Sequence, residues 1–192
     1  MPIFREGPDP HALTLAMTAV QMGDRVLQIG CSDRSLVATL ASKVGLSGQA
    51  VIVVFAEADA ERARKAARDA GVLVDVTTER PSAFGFDLAA FDLAVVDSTG
   101  GLLASMRPED RVRCLQEVYR VLRPAGRAIV IEAGERGGLG SLFARASTDA
   151  PYRSSGGAVT ALQAEGFKSV RVLAEREGRR FIEGIKPRTV EP

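Results

Sequence analysis

The residues with the chemistry to act on a ligand lie in short stretches, each just past an apolar run. The first is Gly30-Cys31-Ser32-Asp33-Arg34-Ser35. A glycine here lets a ligand approach the backbone, and the amides that open a following helix attract anionic groups. The same stretch suits an ordinary strand-to-helix turn with Ser32 or Asp33 as N-cap. The second is Glu57. An acid past the second strand of an open α/β sheet can accept hydrogen bonds from both ribose hydroxyls of a nucleotide. An acid in the first turn of a helix is also favoured by the dipole alone. Glu79 and the run Asp97-Ser98-Thr99 complete the set, suited to contact an adenine and a reacting group respectively, or to be plain loop polarity.

Other chemistries are excluded by residue type. The chain has one histidine, His11, and two cysteines, Cys31 and Cys114. A histidine-based zinc site needs more ligands, so no metal is expected. No G-x-S-x-G elbow is present for a serine nucleophile, and no G-x-x-x-x-G-K-[ST] phosphate loop. The cysteines, far apart in sequence, read as free thiols. Net charge is +1, from 25 basic and 24 acidic residues, so no global field draws nucleic acid or anionic lipid. The basic residues are nearly all arginine, scattered among acids as in Glu61-Arg62-Ala63-Arg64-Lys65, which suits a solvated helix face.

These stretches need a scaffold, and the hydrophobic pattern supplies one. Arg25 to Ile29, Ala50 to Phe55, Val72 to Val76, Asp92 to Val96 and Arg127 to Ile131 read as buried strands. Helical spacing falls between them, over His11–Val20, Ser35–Val44, Asp59–Ala70 and Pro108 to about Leu122. Pro124-Ala125-Gly126 reads as a turn, and 77–90 as a loop. A glycine-rich, irregular segment from Gly134 to Gly157 precedes a short helix over Ala158–Ala164. Ser169–Leu173 and Phe181–Ile185 are linked too briefly for a crossover helix, so they form an antiparallel hairpin. The fold class is therefore α/β, a doubly wound, mostly parallel sheet with an antiparallel C-terminal edge. Such sheets bind ligands at the carboxyl ends of their strands, which is where the stretches above lie.

With 192 residues, 46% hydrophobic and 26% charged, one globular domain over 1–192 is expected, its first 22 residues a helical segment. The longest strongly apolar run, Ala50 to Ala56, is far short of the ~20 residues that span a bilayer. The opening MPIFREGPDP lacks the apolar stretch of a signal peptide, so a cytoplasmic location is expected.

Taken together, the chain resembles the class I S-adenosylmethionine-dependent methyltransferases. Met22-Gly23-Asp24-Arg25-Val26-Leu27-Gln28-Ile29-Gly30-Cys31 looks like that family's first motif, and Phe91-Asp92-Leu93-Ala94-Val95-Val96 is similar to its fourth strand. Glu117-Val118-Tyr119-Arg120-Val121-Leu122-Arg123-Pro124-Ala125-Gly126-Arg127 matches the helix-turn before its fifth strand. Glu165-Gly166-Phe167 and Phe181-Ile182-Glu183-Gly184 match its terminal hairpin. The resemblance implies a seven-stranded sheet with the last strand inserted antiparallel. It implies S-adenosylmethionine as cofactor, with Gly30, Cys31 and Ser32 at its methionine end, Glu57 at the ribose, Glu79 on the adenine side and Asp97 on the methyl-transfer side.

The expected activity is methyl transfer to a small-molecule acceptor. The acceptor pocket is expected from the N-terminal segment and the 134–157 stretch, with His11, Phe143, Tyr152 and Arg153 as candidate contacts. The sequence departs from the family at Gln28, where an acid is usual, and at Ser32 and Arg34, where glycines are usual. Those departures keep a second reading open, a methyltransferase-like domain that only binds or scaffolds. A nucleotide-dependent oxidoreductase is set aside, because no G-x-G-x-x-G follows the first strand. No nucleic-acid partner is expected, and the sequence leaves the oligomeric state open.

Overall fold

In the computed structural model, which describes residues 11–134 and 150–188, helices and strands alternate along the chain. In order they are α1 (Ala12–Thr18), β1 (Arg25–Ile29), α2 (Arg34–Val44), β2 (Gln49–Val54), α3 (Glu57–Ala70), β3 (Asp75–Thr78), β4 (Phe91–Ser98), α4 (Leu102–Ser105), α5 (Pro108–Val121), β5 (Leu122–Ala133), α6 (Ala150–Ser154), α7 (Gly157–Ala164), β6 (Lys168–Arg176) and β7 (Arg179–Ile185). The strands make one sheet in the order β3-β2-β1-β4-β5-β7-β6. β1 to β5 pair in parallel, and β7 lies antiparallel between β5 and β6. This is the doubly wound sheet with an antiparallel terminal hairpin that the sequence pattern predicts.

Side chains alternate across the sheet with period two, and both faces are apolar. Leu27, Ile29, Ala94, Val96, Ala128, Val130 and Ile182 face one layer, packed with Leu115, Val118 and Val121 of α5 and Leu162 of α7. Val26, Leu93, Val95, Ile129, Ile131 and Phe181 face the other, with Leu36, Leu40 and Val44 of α2. α3 lies on this sheet through a face of Ala60, Ala63, Ala66 and Ala67, small enough to bring its backbone close to Ile52 and Val54. Cys114 sits in the α5 layer, and burial pushes its thiol up to about 12. That thiol is a packing residue rather than a nucleophile.

The family-like motifs brace this frame. Asp92 accepts from the Arg25 amide at 2.7 Å and from the Arg123 guanidinium, joining β1, β4 and the start of β5 at the amino ends of the strands. Glu117 accepts from the Phe84 amide at 2.7 Å, and Arg120 donates to the carbonyls of Phe84 and Phe86. One helical turn of α5 thus holds the middle of the loop between β3 and β4, which the sequence expectation began two residues early at Thr77. The hydrogen bond from Arg120 keeps the Glu117 carboxyl below the usual range.

Three elements differ from the sequence expectation. The third strand is Asp75–Thr78, not Val72–Val76. Gly71 ends α3 in a left-handed conformation, the Val72 amide still bonds to the Ala67 carbonyl, and Val72 and Val74 cover α3 instead of pairing. β5 begins at Leu122, because the Pro124-Ala125-Gly126 turn is an irregularity within the strand, tied to Lys186 through Ala125 and Gly126. The irregular segment before Gly157 contains a short helix, α6. No helix among the described residues is long and apolar enough to cross a membrane.

Glu183 in β7 is 3% exposed. Its carboxylate is held by Arg127 at 2.7 Å and Arg171 at 3.0 Å, and Arg127 also donates to the Thr18 carbonyl at 2.9 Å, fixing α1 to the sheet. Arg127 is the more buried partner. Arg127→Met should therefore cost about 3 kcal/mol, as a buried charge loses its main counter-ion. Arg171→Met should cost less than about 1 kcal/mol. Urea unfolding of the two variants checks the ratio.

Candidate active site

The turn after β1 is built on a backbone conformation that favours glycine. Gly30 has φ +84°, and its amide bonds to the Val53 carbonyl at 2.8 Å. A Cβ here would stand 2.9 Å from the Asp97 carbonyl oxygen, so the end of β4 presses directly on this turn. The buried Gln28 donates its side-chain amide to the Gly30 carbonyl at 2.9 Å. A carboxylate at that position has no proton to donate, so the unusual glutamine makes a brace that the family's acid cannot make.

Asp97 joins the turn to the loop after β4. It is fully buried. One oxygen accepts from the Asp33 amide at 2.7 Å, and the other from the Thr99 amide at 3.2 Å and hydroxyl at 2.6 Å. Ser32, at a position where the family carries glycine, packs against Gly100, where a Cβ would fall 2.5 Å from the serine oxygen. Asp33 caps α2 through the Ser35 amide and hydroxyl. Its second oxygen takes Arg179 of β7 at 2.5 Å, and Arg179 reaches Thr14 of α1 at 3.1 Å.

Across the strand ends, Glu57 opens α3 with an exposed carboxylate. It accepts from Arg64 at 2.6 Å and from the Thr78 hydroxyl at 2.9 Å. Those hydrogen bonds hold it below its ordinary range, so it stays anionic, and a carboxylate has lone pairs left for two more donors. Glu79 follows β3, its amide on the Val54 carbonyl and its carboxylate accepting from Thr77 at 2.8 Å.

The structure brings Gly30, Cys31, Ser32, Glu57, Glu79 and Asp97 to the carboxyl ends of the sheet. It gives them unequal parts. Ser32 and Glu57 are exposed, whereas Cys31 and Asp97 are buried and face the protein. Burial, then the nearby Asp97, raises the Cys31 thiol. Arg34 is exposed at the start of α2. His11 is not brought to the strand ends. It borders a groove between α1 and the outer face of α2, with Leu15, Ser42, Lys43 and Ala70. Phe143 lies outside the described residues.

A second polar cluster stands where β4 and β5 end. Glu132 pairs in register with Ser98 on one side and Arg180 on the other. Its carboxylate is 5% exposed, and Tyr152 beside it is 6% exposed. Arg111 of α5 covers the Tyr152 ring at 4.6 Å, and Arg153 donates to the Ala133 carbonyl at 2.8 Å. Burial raises the Glu132 carboxyl above its ordinary range, against the pull of the Tyr152 hydroxyl, Arg180, Arg153 and the Ala158 amide. Burial and the Glu132 charge raise the tyrosine as well. The sequence signal for Glu132 is an acid closing the run Arg127 to Ile131 at a strand end, where the glycines that follow draw attention first.

A family model described as a methyltransferase domain matches residues 26–126, from the first strand to the turn inside the fifth. The chain belongs to the class I S-adenosylmethionine-dependent methyltransferases. Among curated relatives of the chain, the ubiquinone/menaquinone biosynthesis C-methyltransferase UbiE of Serratia proteamaculans is 26% identical over 121 residues, 62% of this chain and 46% of that protein. The chain thus spans about half the length of the curated relatives it matches. In fold, it resembles a SAM-dependent methyltransferase from Aquifex aeolicus, with TM-score 0.71 and 18% identity over 93% of this chain and 94% of that one. It also resembles one from Methanosarcina mazei, with TM-score 0.65 and 20% identity over 94% and 99%.

Two outcomes are expected for this chain. Asp97→Asn turns one acceptor oxygen into a donor facing another donor, and should cost about 2 kcal/mol of stability by chemical denaturation. Glu132 behaves oppositely. A carboxyl raised in the folded state destabilises progressively as pH climbs from the unfolded value through the folded one. Glu132→Gln should therefore melt above the wild type at pH 8, with the gap closing toward pH 4–5 in calorimetric scans.

Proposed function

We propose that this chain binds S-adenosylmethionine across the ends of β1, β2 and β3 and transfers its methyl group to a small-molecule acceptor. The observation that carries the reading is Glu57, an exposed carboxylate kept anionic by Arg64 and Thr78 on the same strand ends as the Gly30 turn. The residues present fit the group. Glu57 suits the two ribose hydroxyls, the backbone at Gly30 and Ser32 suits the methionine end, and the loop after Glu79 suits the adenine edge. Arg34, exposed at the start of α2, leaves the turn itself to Ser32. When bound, the cofactor supplies a methyl group on a cationic sulfur that leaves with the carbon–sulfur pair.

The chain's own residues position the partners and exclude water. Gln28, Asp97 and Asp33 set the turn before any ligand arrives, so binding does not have to order it. The acceptor side is the end of β4 and β5, bordered by Tyr152 and Arg153. A small-molecule acceptor is supported by the curated relatives, whose name is that of a C-methyltransferase in quinone biosynthesis.

The test is ligand-linked stability. At 100-fold excess over Kd, S-adenosylmethionine or S-adenosylhomocysteine should add ~2.7 kcal/mol. For a chain this size that is a melting shift of roughly 5–11 °C. Glu57→Gln should fold normally and bind either ligand about tenfold more weakly by calorimetry, the worth of one charge-assisted hydrogen bond. No shift with either ligand at millimolar concentration, in wild type or in Arg34→Gly, would overturn the reading in favour of a domain that binds something else.

A further inference from the structure

Among the described residues, three buried side-chain atoms lack a hydrogen-bond partner: Glu132 Oε1, the Tyr152 hydroxyl and Arg180 Nε. The first two lie side by side at the ends of β4 and β5, whereas Arg180 Nε lies 4.0 Å from the Glu175 carboxylate. Buried polar atoms are normally satisfied, so two orphaned oxygens side by side mark a place where a further polar group can bind. The Tyr152 hydroxyl faces the Glu132 carboxylate closely enough to bias its ionisation, yet neither atom reaches hydrogen-bond geometry with the other. Glu132 Oε1 also borders Gly157, where a Cβ would stand 4.0 Å from it and 3.8 Å from the Tyr152 ring. Glu132 and Tyr152, with Ser98, Gly101, Ala104 and Arg153, line a cavity of about 10 Å³. A cavity that small takes about one water-sized group, not a ring.

We infer that Glu132, assisted by Tyr152, accepts the proton of a weakly acidic hydroxyl on the methyl acceptor, as in a phenol or an enol. The inference rests on the methyltransferase reading above. A single hydroxyl fits the cavity and can meet both orphaned oxygens, donating to Glu132 Oε1 and accepting from Tyr152. The charge around the cavity selects the same class. Arg180 has its guanidinium 4.0 Å from the other Glu132 oxygen, Arg111 lies on the Tyr152 ring and Arg153 borders the mouth. Three cations around one carboxylate repel an ammonium acceptor and stabilise an oxyanion as it forms. In the step, the acceptor's O–H bond breaks and the proton moves to Glu132 Oε1. The electron pair stays on the acceptor oxygen, and from there, or from a carbon conjugated with it, makes the new bond to the methyl carbon. Burial, which raises the carboxyl, makes it a stronger base than an exposed glutamate.

The experiment uses the full chain saturated with S-adenosylhomocysteine, and 4-nitrophenol as the probe, its ionisation read from its absorption. Calorimetric affinity for the probe is measured from pH 5 to 9. The wild type should show a bell, because the complex holds one proton between two acids. Glu132→Gln should bind S-adenosylhomocysteine within about twofold of wild type. It should bind the probe about tenfold more weakly at the bell's maximum, with affinity rising to a plateau instead of falling at high pH. Tyr152→Phe, which keeps the ring under Arg111, should keep the bell and weaken binding severalfold. The same pH profile in wild type and Glu132→Gln, unchanged affinity in Tyr152→Phe, or no binding of millimolar 4-nitrophenol by loaded wild type overturns the inference. Failure of S-adenosylhomocysteine to bind is a separate result, which removes the methyltransferase reading and this inference with it.

Discussion

A carboxylate with no exposed surface, Asp97, collects three hydrogen bonds from two loops that are far apart in sequence. A buried carboxylate lacking those donors would be costly, so the loops after β1 and β4 are drawn into one arrangement by the need to satisfy it. The close approach at Gly30 and the contact of Ser32 with Gly100 follow from that arrangement. The family resemblance points to Asp97 as a lining residue, but the structure makes it the foundation beneath the lining.

The two ends of the sheet divide the labour. At the amino ends, Asp92, Arg25 and Arg123 tie strands together. At the carboxyl ends, Glu57 sits exposed, and Glu132 and Tyr152 each keep a buried atom without a hydrogen-bond partner. Orphaned groups are tolerated there because the tightly packed layers on both faces of the sheet supply the stability. The cluster around Glu132 departs from the usual rule of polar satisfaction, and such departures concentrate at functional sites.

This division explains what was legible in the sequence. Strand and helix order follow from apolar runs such as Ala50–Phe55 and Leu93–Val96, because burial on both faces leaves a near-continuous apolar signature. The motifs that carry the resemblance, around Asp92 and from Glu117 to Arg127, are framework residues, so they reveal the fold more directly than the chemistry. β3 lies three residues beyond its expected start because Val72 and Val74 are apolar for the sake of α3, a tertiary reason that composition does not display. Gly30 and Glu57 could be found from their places after strands. Glu132 cannot be ranked from sequence, since what sets it apart, burial with Oε1 lacking a hydrogen-bond partner, depends on Tyr152 and Arg180 arriving from elsewhere in the chain. His11 attracted notice as the lone histidine, but helix α1 carries it to a different face.

Arg179 has a bearing on when the site comes into being. It joins Asp33, 146 residues earlier, and Thr14, 165 residues earlier, and it belongs to the last strand of the sheet. During synthesis the first strand and its turn leave the ribosome long before this arginine. Contacts of such sequence separation form late, after the entropy of closing a long loop has been overcome. A nascent chain can therefore pair β1, β2 and β4 while the turn between β1 and α2 still lacks one of its three clasps. Only insertion of β7 supplies it. The final strand thus acts as a completion signal, for the turn after β1 gains its last clasp only when β7 is in place.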